Sequence, residues 1–302
     1  MTFELQNKTS TEYTRGLLLV FIAGVLWSTV GLGIRLIQDA SVWQILLYRS
    51  FSLSALLATV IYLRSGLSPV AIVFGSNRNT HIAAISLVAA YSGGIFAIQN
   101  TSVANAMLLF ATAPFFAAIL GWLVLREKVR TLTWFAIMIS FLGIGIMFYD
   151  KSHGIVLLGS FAALGSALGF AIFTVALRYG RAGDMLPSVF LSGIYAIWIM
   201  CGICIFFDFN LLLTVNDGSI AIGMGICQVG AGLILYTIGS KSVPAVELTL
   251  LSLAEVILGP IWVFFLLGET ASVYTLIGGA ILLAAIAGNA LAGARRKPPI
   301  IN

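Results

Sequence analysis

Apolar residues run in long unbroken stretches along this chain, separated by short polar punctuation. The stretches fall near residues 16–38, 43–63, 81–100, 103–125 and 131–149, then near 154–179, 188–207, 219–240, 244–267 and 273–293. Each is close to the roughly 20 apolar residues that a helix needs to cross the hydrocarbon core of a bilayer. Backbone groups in lipid have no water to bond, so each stretch must close its hydrogen bonds within itself as a helix. An outer-membrane barrel would instead show short segments of alternating polarity. The pattern predicts ten spans. The joint between spans 3 and 4 is the least marked, carried only by Gln99, Asn100, Thr101 and Ser102.

Composition agrees with the pattern. The chain is 60% hydrophobic and only 9% charged, where a soluble domain carries about 25% charged residues to solvate its surface. Residues 1–15 are polar, and the apolar run from Gly16 to Ile37 is longer than the core of a signal peptide, so it reads as the first span. Cys201 and Cys204 have redox spacing, but they and Cys227 lie inside apolar runs. A redox motif belongs beside a βαβ unit, whereas a thiol in an apolar helix behaves as a small hydrophobe.

The formal charge of +5 reports topology and implies no nucleic-acid partner. Lys and Arg are retained on the cytoplasmic side of a membrane. With the N-terminus inside, the loops at 126–130, 178–181 and 241 and the tail at 295–297 collect the basic residues on that side. Of the opposite loops, only one holds a basic residue, Lys151, while they carry Asp39, Asp150, Asp208, Asp217 and Glu269. Both termini are expected to be cytoplasmic.

The chain also resembles itself. A shift of 142 residues aligns Leu108 with Leu250, Leu109 with Leu251, Leu125 with Leu267, Glu127 with Glu269 and Thr133 with Thr275. A shift of 138 aligns Gly16 with Gly154, Ser28 with Ser166 and Gly31 with Gly169. Leucine matches are cheap in apolar sequence; a Glu directly after a long apolar run in both halves is a better marker. Each half holds five spans, an odd number, so the second enters the membrane from the opposite side. The expected fold is an all-α polytopic membrane protein of ten transmembrane helices in two inverted five-helix repeats. The expected divisions are a cytoplasmic tail 1–15, a first repeat 16–149, a second repeat 154–293 and a basic cytoplasmic tail 294–302. Inverted repeats are typical of secondary transporters, with the substrate held near the midplane where the halves meet.

Ala113-Pro114 followed by Glu127, and Leu253-Ala254-Glu255 followed by Gly268-Glu269, carry a more specific likeness. Together with Gly16 to Trp27 and Arg49, they make the chain resemble the drug/metabolite transporter superfamily in its EamA-type, ten-helix branch, over about residues 16–293. The resemblance implies a basket of helices around a central cavity made largely by spans 1, 3, 4, 6, 8 and 9, with spans 5 and 10 peripheral. One departure is that Val256 follows Glu255 where the family often has Pro, with Pro260 a turn later, which would displace any kink in span 9.

Ionisable groups inside a membrane are costly and therefore candidates for function. Glu255 lies about 16 Å into span 9 at 1.5 Å per residue, and Ser252, Gly259 and Trp262 share its helix face. It is a candidate for exchanging a proton against a cationic or zwitterionic solute, or else a structural carboxyl bonded to a neighbouring helix. Arg49, roughly 9 Å into span 2, is placed to bind a carboxylate, to pair with an acid, or to snorkel. Arg35, a turn from the end of span 1, reads chiefly as snorkelling, and Glu247 either as an interfacial or gate residue or as a plainly solvated one. Candidate cavity residues are Trp27 of span 1; Tyr91 and Gln99 of span 3; Asn105 and Phe116 of span 4; Tyr195 and Trp198 of span 7; and Gln228 and Tyr236 of span 8, with Glu255 and Trp262. Aromatic walls with few polar anchors suit a small amphiphilic ligand, although core packing is the leading account of any single aromatic, with Tyr91 and Trp27, both mid-span, the stronger cavity candidates. Glycine pairs such as Gly93-Gly94, Gly143-Gly145, Gly165-Gly169 and Gly278-Gly279 read as points of close helix approach.

No catalytic residue, metal site or cofactor is expected: His81 and His153 fall at opposite membrane faces, and no nucleophile–base cluster is present. A channel would want a charged ring or filter loop, and no ATP-binding motif is seen. The partners expected are a small-molecule substrate and the lipid bilayer, with a homodimer left open, in a bacterial inner membrane. Amino acids or similar zwitterions are the favoured substrates, and small organic cations, quaternary amines or drugs the alternative.

Overall fold

The computed structural model describes residues 2–66, 68–149, 154–180, 185–240, 242–243 and 245–294. Among the described residues, nine helices are long and apolar enough to cross a membrane, and Leu253–Leu267 is a shorter apolar stretch within the helix Ala245–Leu267. Together these make the ten-span, all-helical architecture of a multi-pass membrane protein. Span 1 is Thr2–Ser28, broken at Thr29 and continued by Val30–Leu36; span 2 is Val42–Ser65 and span 3 Arg78–Asn100. Span 4 is Val103–Phe110 and Ala113–Leu125, and span 5 is Thr131–Tyr149. Span 6 is Gly154–Tyr179 and span 7 Leu186–Phe206. Span 8 runs Val215–Gly223, a π-helix Met224–Ala231 and Gly232–Gly239; spans 9 and 10 are Ala245–Leu267 and Val273–Ala294.

Local chemistry sets the ends. Span 2 opens on a capping box in which the Ser41 backbone N–H donates to Gln44 Oε1 at 2.8 Å, and closes on Gly66 at φ 66°. The faint joint between spans 3 and 4 is a two-residue turn, Thr101-Ser102, whose Ser102 hydroxyl accepts from the Asn105 backbone at 3.3 Å. Span 9 stays helical through Pro260.

Spans 4 and 9 end identically, and this is where the 142-residue repeat becomes physical. Arg126 (φ 53°) and Gly268 (φ 68°) each turn the chain into the left-handed region. The next residue's N–H then bonds back six residues, Glu127 to the Gly121 carbonyl and Glu269 to the Val263 carbonyl, both at 3.2 Å. In both, a residue in the left-handed conformation ends the helix and the bond that follows satisfies a carbonyl of its last turns.

The helix neighbours obey an exchange of spans 1–5 with spans 6–10. Span 3 packs on span 6 as span 1 packs on span 8; span 4 packs on span 6 as span 9 packs on span 1; span 2 packs on span 8 as span 7 packs on span 3. Spans 2 and 7 pack on each other, as do spans 5 and 10. Glycine makes the inter-half seams close. A Cβ added at Gly169 of span 6 would meet Ser86 O at 2.9 Å and Ala90 N at 3.0 Å on span 3. Gly16 and Gly239 face each other's carbonyls between spans 1 and 8, as do Gly143 and Gly278 between spans 5 and 10. Two of the sequence-predicted glycines do not belong to this set: Gly145 and Gly165 have nothing within 4 Å of an added Cβ.

Gly169→Leu is expected to lower the melting temperature of the detergent-solubilised protein strongly, since overpacking a tight contact typically costs about 1–3 kcal/mol or more. Gly165→Leu should leave it within experimental error. Equal melting of the two variants would show that the span 3–span 6 seam is not a close backbone contact.

Candidate functional site

The interior is organised around span 1 near its break. The Gln228 side-chain amide donates from Nε2 to the Trp27 carbonyl at 3.3 Å. A Cβ at Gly232 would run into the Trp27 indole, and the Tyr236 ring stands 5.3 Å from the Trp27 ring, tilted by 39°. The stripe Gln228, Gly232, Tyr236 therefore closes on one tryptophan. From the other side, Trp262 of span 9 donates its indole N–H to Ser28 Oγ at 2.9 Å. Gly24 faces the Leu251 carbonyl, and a Cβ on Gly259 would lie 3.4 Å from the Ser28 carbonyl and 3.0 Å from Met107 of span 4. Glu255 is one helical turn from both Leu251 and Gly259, so it stands on the face of span 9 turned to span 1. It is half-buried, and among the described residues its carboxyl has no hydrogen-bond or ion-pair partner.

A second charge lies on spans 2 and 3. Arg49 is 3% exposed, and its guanidinium carbon sits 4.5 Å from the centroid of the Tyr91 ring. This is a cation–π contact; among the described residues Arg49 makes no ion pair. Its position does not fit snorkelling, because the head group is buried. Trp27 and Tyr91 both pack against the apolar cluster that contains Leu53, Leu57, Leu87, Val229 and Leu233.

The other candidates lie elsewhere, and the reasons are local. Gln99 donates to the Ala40 carbonyl at 3.1 Å, tying span 3 to the loop after span 1. Asn105 is fully buried and clamps span 4 to span 6, its Nδ2 donating to Ser160 Oγ at 2.8 Å and to Thr101 Oγ1 at 3.1 Å. Phe116 lines a small apolar crevice between spans 4 and 5 with Phe115, Ile137 and Phe141. Tyr195 bonds through its hydroxyl to His81 Nδ1 at 2.6 Å. Trp198 is 75% exposed, on a stripe with Ile205 and Phe206 that faces away from the helix bundle. Helical spacing placed it one turn from Tyr195, but the bundle turns that side outward. The side chains of Glu247 and Ser252 lie outside the described residues.

Sequence reasoning missed the charges at the mouths. Arg35 is an ion-pair member: Nε meets Glu269 Oε2 at 2.7 Å, and Nη2 donates to the Thr101 carbonyl at 2.8 Å. Glu269 Oε1 in turn accepts the Val103 N–H at 2.7 Å, so spans 1, 3, 4 and 9 meet at one pair. On the opposite face Arg178 pairs with Glu127, joining spans 6 and 4. The two pairs are exchanged by the internal symmetry. Arg35 and Arg178 stand 143 residues apart, one more than Glu127 and Glu269, a signal that was available in the sequence. Asp217 is likewise no loop carboxylate; it is buried and accepts the N–H groups of Gln38, Asp39 and Ala40 at 3.2, 3.0 and 3.1 Å.

Ten spans in two exchangeable halves, with an aromatic cluster at Trp27 and interior charges, define a membrane protein of the inverted-repeat class. The sequence profile of the EamA-like transporter family matches residues 14–149 and 157–291, and the chain belongs to that family. It is 26% identical over 199 residues to an uncharacterized transporter, YwfM, of Bacillus subtilis, covering 62% of this chain and 64% of that protein. An uncharacterized transporter of Archaeoglobus fulgidus is 26% identical over 211 residues, 64% of this chain and 68% of its own. A crystal structure of a protein shares the fold at a TM-score of 0.67 with 17% identity, over 94% of this chain and 100% of that one.

Quenching by brominated acyl chains in reconstituted protein checks the placement of the tryptophans. Trp198→Phe should lower the quenched fraction of the fluorescence, and Trp27→Phe should not. The reverse result would put Trp27 against lipid and dissolve the cluster.

Proposed function

We propose that this protein is a secondary transporter that carries a small zwitterion, an amino acid or a close relative, by alternating access around the span 1, 8 and 9 chamber. The observation that carries the proposal is a pair of interior charges of opposite sign, Arg49 and Glu255, which are not paired with each other. An unpaired charge in a low-dielectric interior is expensive, and intramembrane ionisable groups mark substrate and ion pathways. A solute bearing both a carboxylate and an ammonium supplies both missing partners. Glu255 can also exchange a proton for the ammonium, which would couple transport to a gradient. The same chamber supports a second reading, a small organic cation held by Glu255 among Trp27, Tyr236 and Trp262, because aromatic faces attract cations.

The pairs at the two mouths supply the conformational side of the proposal. Arg35–Glu269 closes one face and Arg178–Glu127 its symmetry mate on the other, and transport breaks and remakes them in turn. They differ in strength. Arg35 and Glu269 are mostly shielded and are bolted to backbone groups at Thr101 and Val103, whereas Arg178 and Glu127 are about half exposed.

Uptake into proteoliposomes separates the two substrate readings. For a zwitterion, Arg49→Met and Glu255→Gln should each reduce uptake by roughly 10-fold or more, the scale of a lost charge-assisted hydrogen bond, and Glu255→Gln should flatten the dependence on pH. For a cation, only Glu255→Gln should matter. Unchanged rate and pH dependence in Glu255→Gln would remove proton coupling.

The mouths give a separate test. Charge reversal of Arg178 or Glu127 alone should change the uptake rate a few-fold, about the worth of an exposed pair, and the double reversal should restore it. The double reversal of Arg35 and Glu269 should not restore transport, because an Arg at 269 cannot accept the Val103 N–H and a Glu at 35 cannot donate to the Thr101 carbonyl. Rescue at both faces would show that the backbone bolts are idle.

A further inference from the structure

We infer that Gln228 sets the substrate class within the transport reading: its side-chain carbonyl selects amines that carry an N–H over fully substituted ones. The inference rests on the proposal that the chamber carries small ammonium-bearing solutes. Gln228 is 7% exposed, and its Oε1 is a buried atom with no hydrogen-bond partner among the described residues. Buried polar atoms in folded proteins are nearly always bonded, so an orphan acceptor beside the Trp27 and Tyr236 rings is a place kept for a donor.

The amide cannot satisfy itself by turning over. Its Nε2 donates to the Trp27 carbonyl; the flipped amide would set Oε1 against that carbonyl, oxygen to oxygen, and lose the bond. The end of the amide left unbonded is therefore an acceptor, which ranks ligands by whether they can donate.

Span 8 is shaped to deliver it. Gln228 lies inside the π-helix Met224–Ala231, a rare form that recurs at functional sites. Gly225 and Gly230 press the same segment against span 2, where added Cβ atoms would run into the Arg49 carbonyl and the Leu56 side chain. Gln228 points the other way, to span 1. The Trp27 and Tyr236 rings beside it accept any cation, with or without N–H. The aromatic walls therefore admit an ammonium group, and Gln228 decides how many methyl groups it can carry.

A site built to bond a donor rejects the analogue that lacks it, because its own polar atom is left unpaired. One such acceptor is worth on the order of 10- to 100-fold in discrimination. The test uses the full-length protein in proteoliposomes with radiolabelled alanine and phenylalanine and their N,N,N-trimethyl derivatives as probes. The unmodified amino acids should be taken up about 10- to 100-fold better by the wild-type protein. In Gln228→Met, which keeps the side-chain length and removes the acceptor, this ratio should collapse towards one. A wild-type protein that carries both classes equally, or a Gln228→Met protein that keeps the ratio, overturns the inference and leaves the zwitterion reading standing. A wild-type protein that carries none of the four overturns both. If Gln228→Met fails to fold, as judged by gel filtration, Gln228→Leu is read for the same ratio, and a wild-type ratio of one still overturns the inference.

Discussion

Lipid tails are as apolar as leucine, so burial gives two membrane helices no reason to prefer each other over the bilayer. What holds this bundle together is contact between backbones, and that is possible only where side chains are absent. The two halves meet along such seams: Gly169 against span 3, Gly16 against Gly239, Gly143 against Gly278. Each seam pairs a helix from one half with a helix from the other, and the internal exchange relates the span 3–span 6 seam to the span 1–span 8 seam. The span 1–span 8 seam opens to take in an indole. Below Trp27 the backbones of spans 1 and 8 touch at Gly16 and Gly239; at Trp27 the ring itself occupies the gap, with Gln228, Gly232 and Tyr236 arranged around it.

The symmetry that relates the halves is broken where the chemistry is. Each half ends its fourth span in the same left-handed cap followed by a glutamate, and each glutamate takes an arginine from the first span of the other half. These shared features lie at the membrane faces. The interior charges have no such mates: Arg49 belongs to the first half, Glu255 to the second, and among the described residues the π-helix interrupts only span 8. The repeated parts are suited to moving and the unrepeated parts to binding. An inverted repeat gives two equivalent faces, and under the proposed function the asymmetric side chains make the shared interior a site for one kind of solute.

The span count, the all-helical class and the five-plus-five arrangement follow from the sequence by itself. Lipid permits few solutions, and a run of twenty apolar residues has only one of them. The Glu127–Glu269 correspondence was legible for the same reason, since a glutamate after an apolar run marks a helix end in any fold. Among the candidate residues, Glu255 and Arg49, recognised as intramembrane charges, kept an interior place, and of those chosen by helical spacing Gln228 and Tyr236 gathered at Trp27. The others chosen by spacing scattered. Trp198 sits at helical distance from Tyr195 and faces outward, Asn105 donates from Nδ2 to span 6, and Gln99 donates to the loop after span 1.

The tertiary structure decided which way each face turns. Period and composition locate a residue on its own helix, but rotation about the helix axis is fixed by contacts with residues far away in sequence. Arg35 shows this: a turn from the end of a span, it read as a cation reaching for water, and the fold sets it beside an acid 234 residues later. Asp217 read as a solvated loop acid and became the cap for three backbone amides of another loop. Long-range pairing and the π-turn that aims Gln228 leave no local mark, because each is the result of two helices meeting.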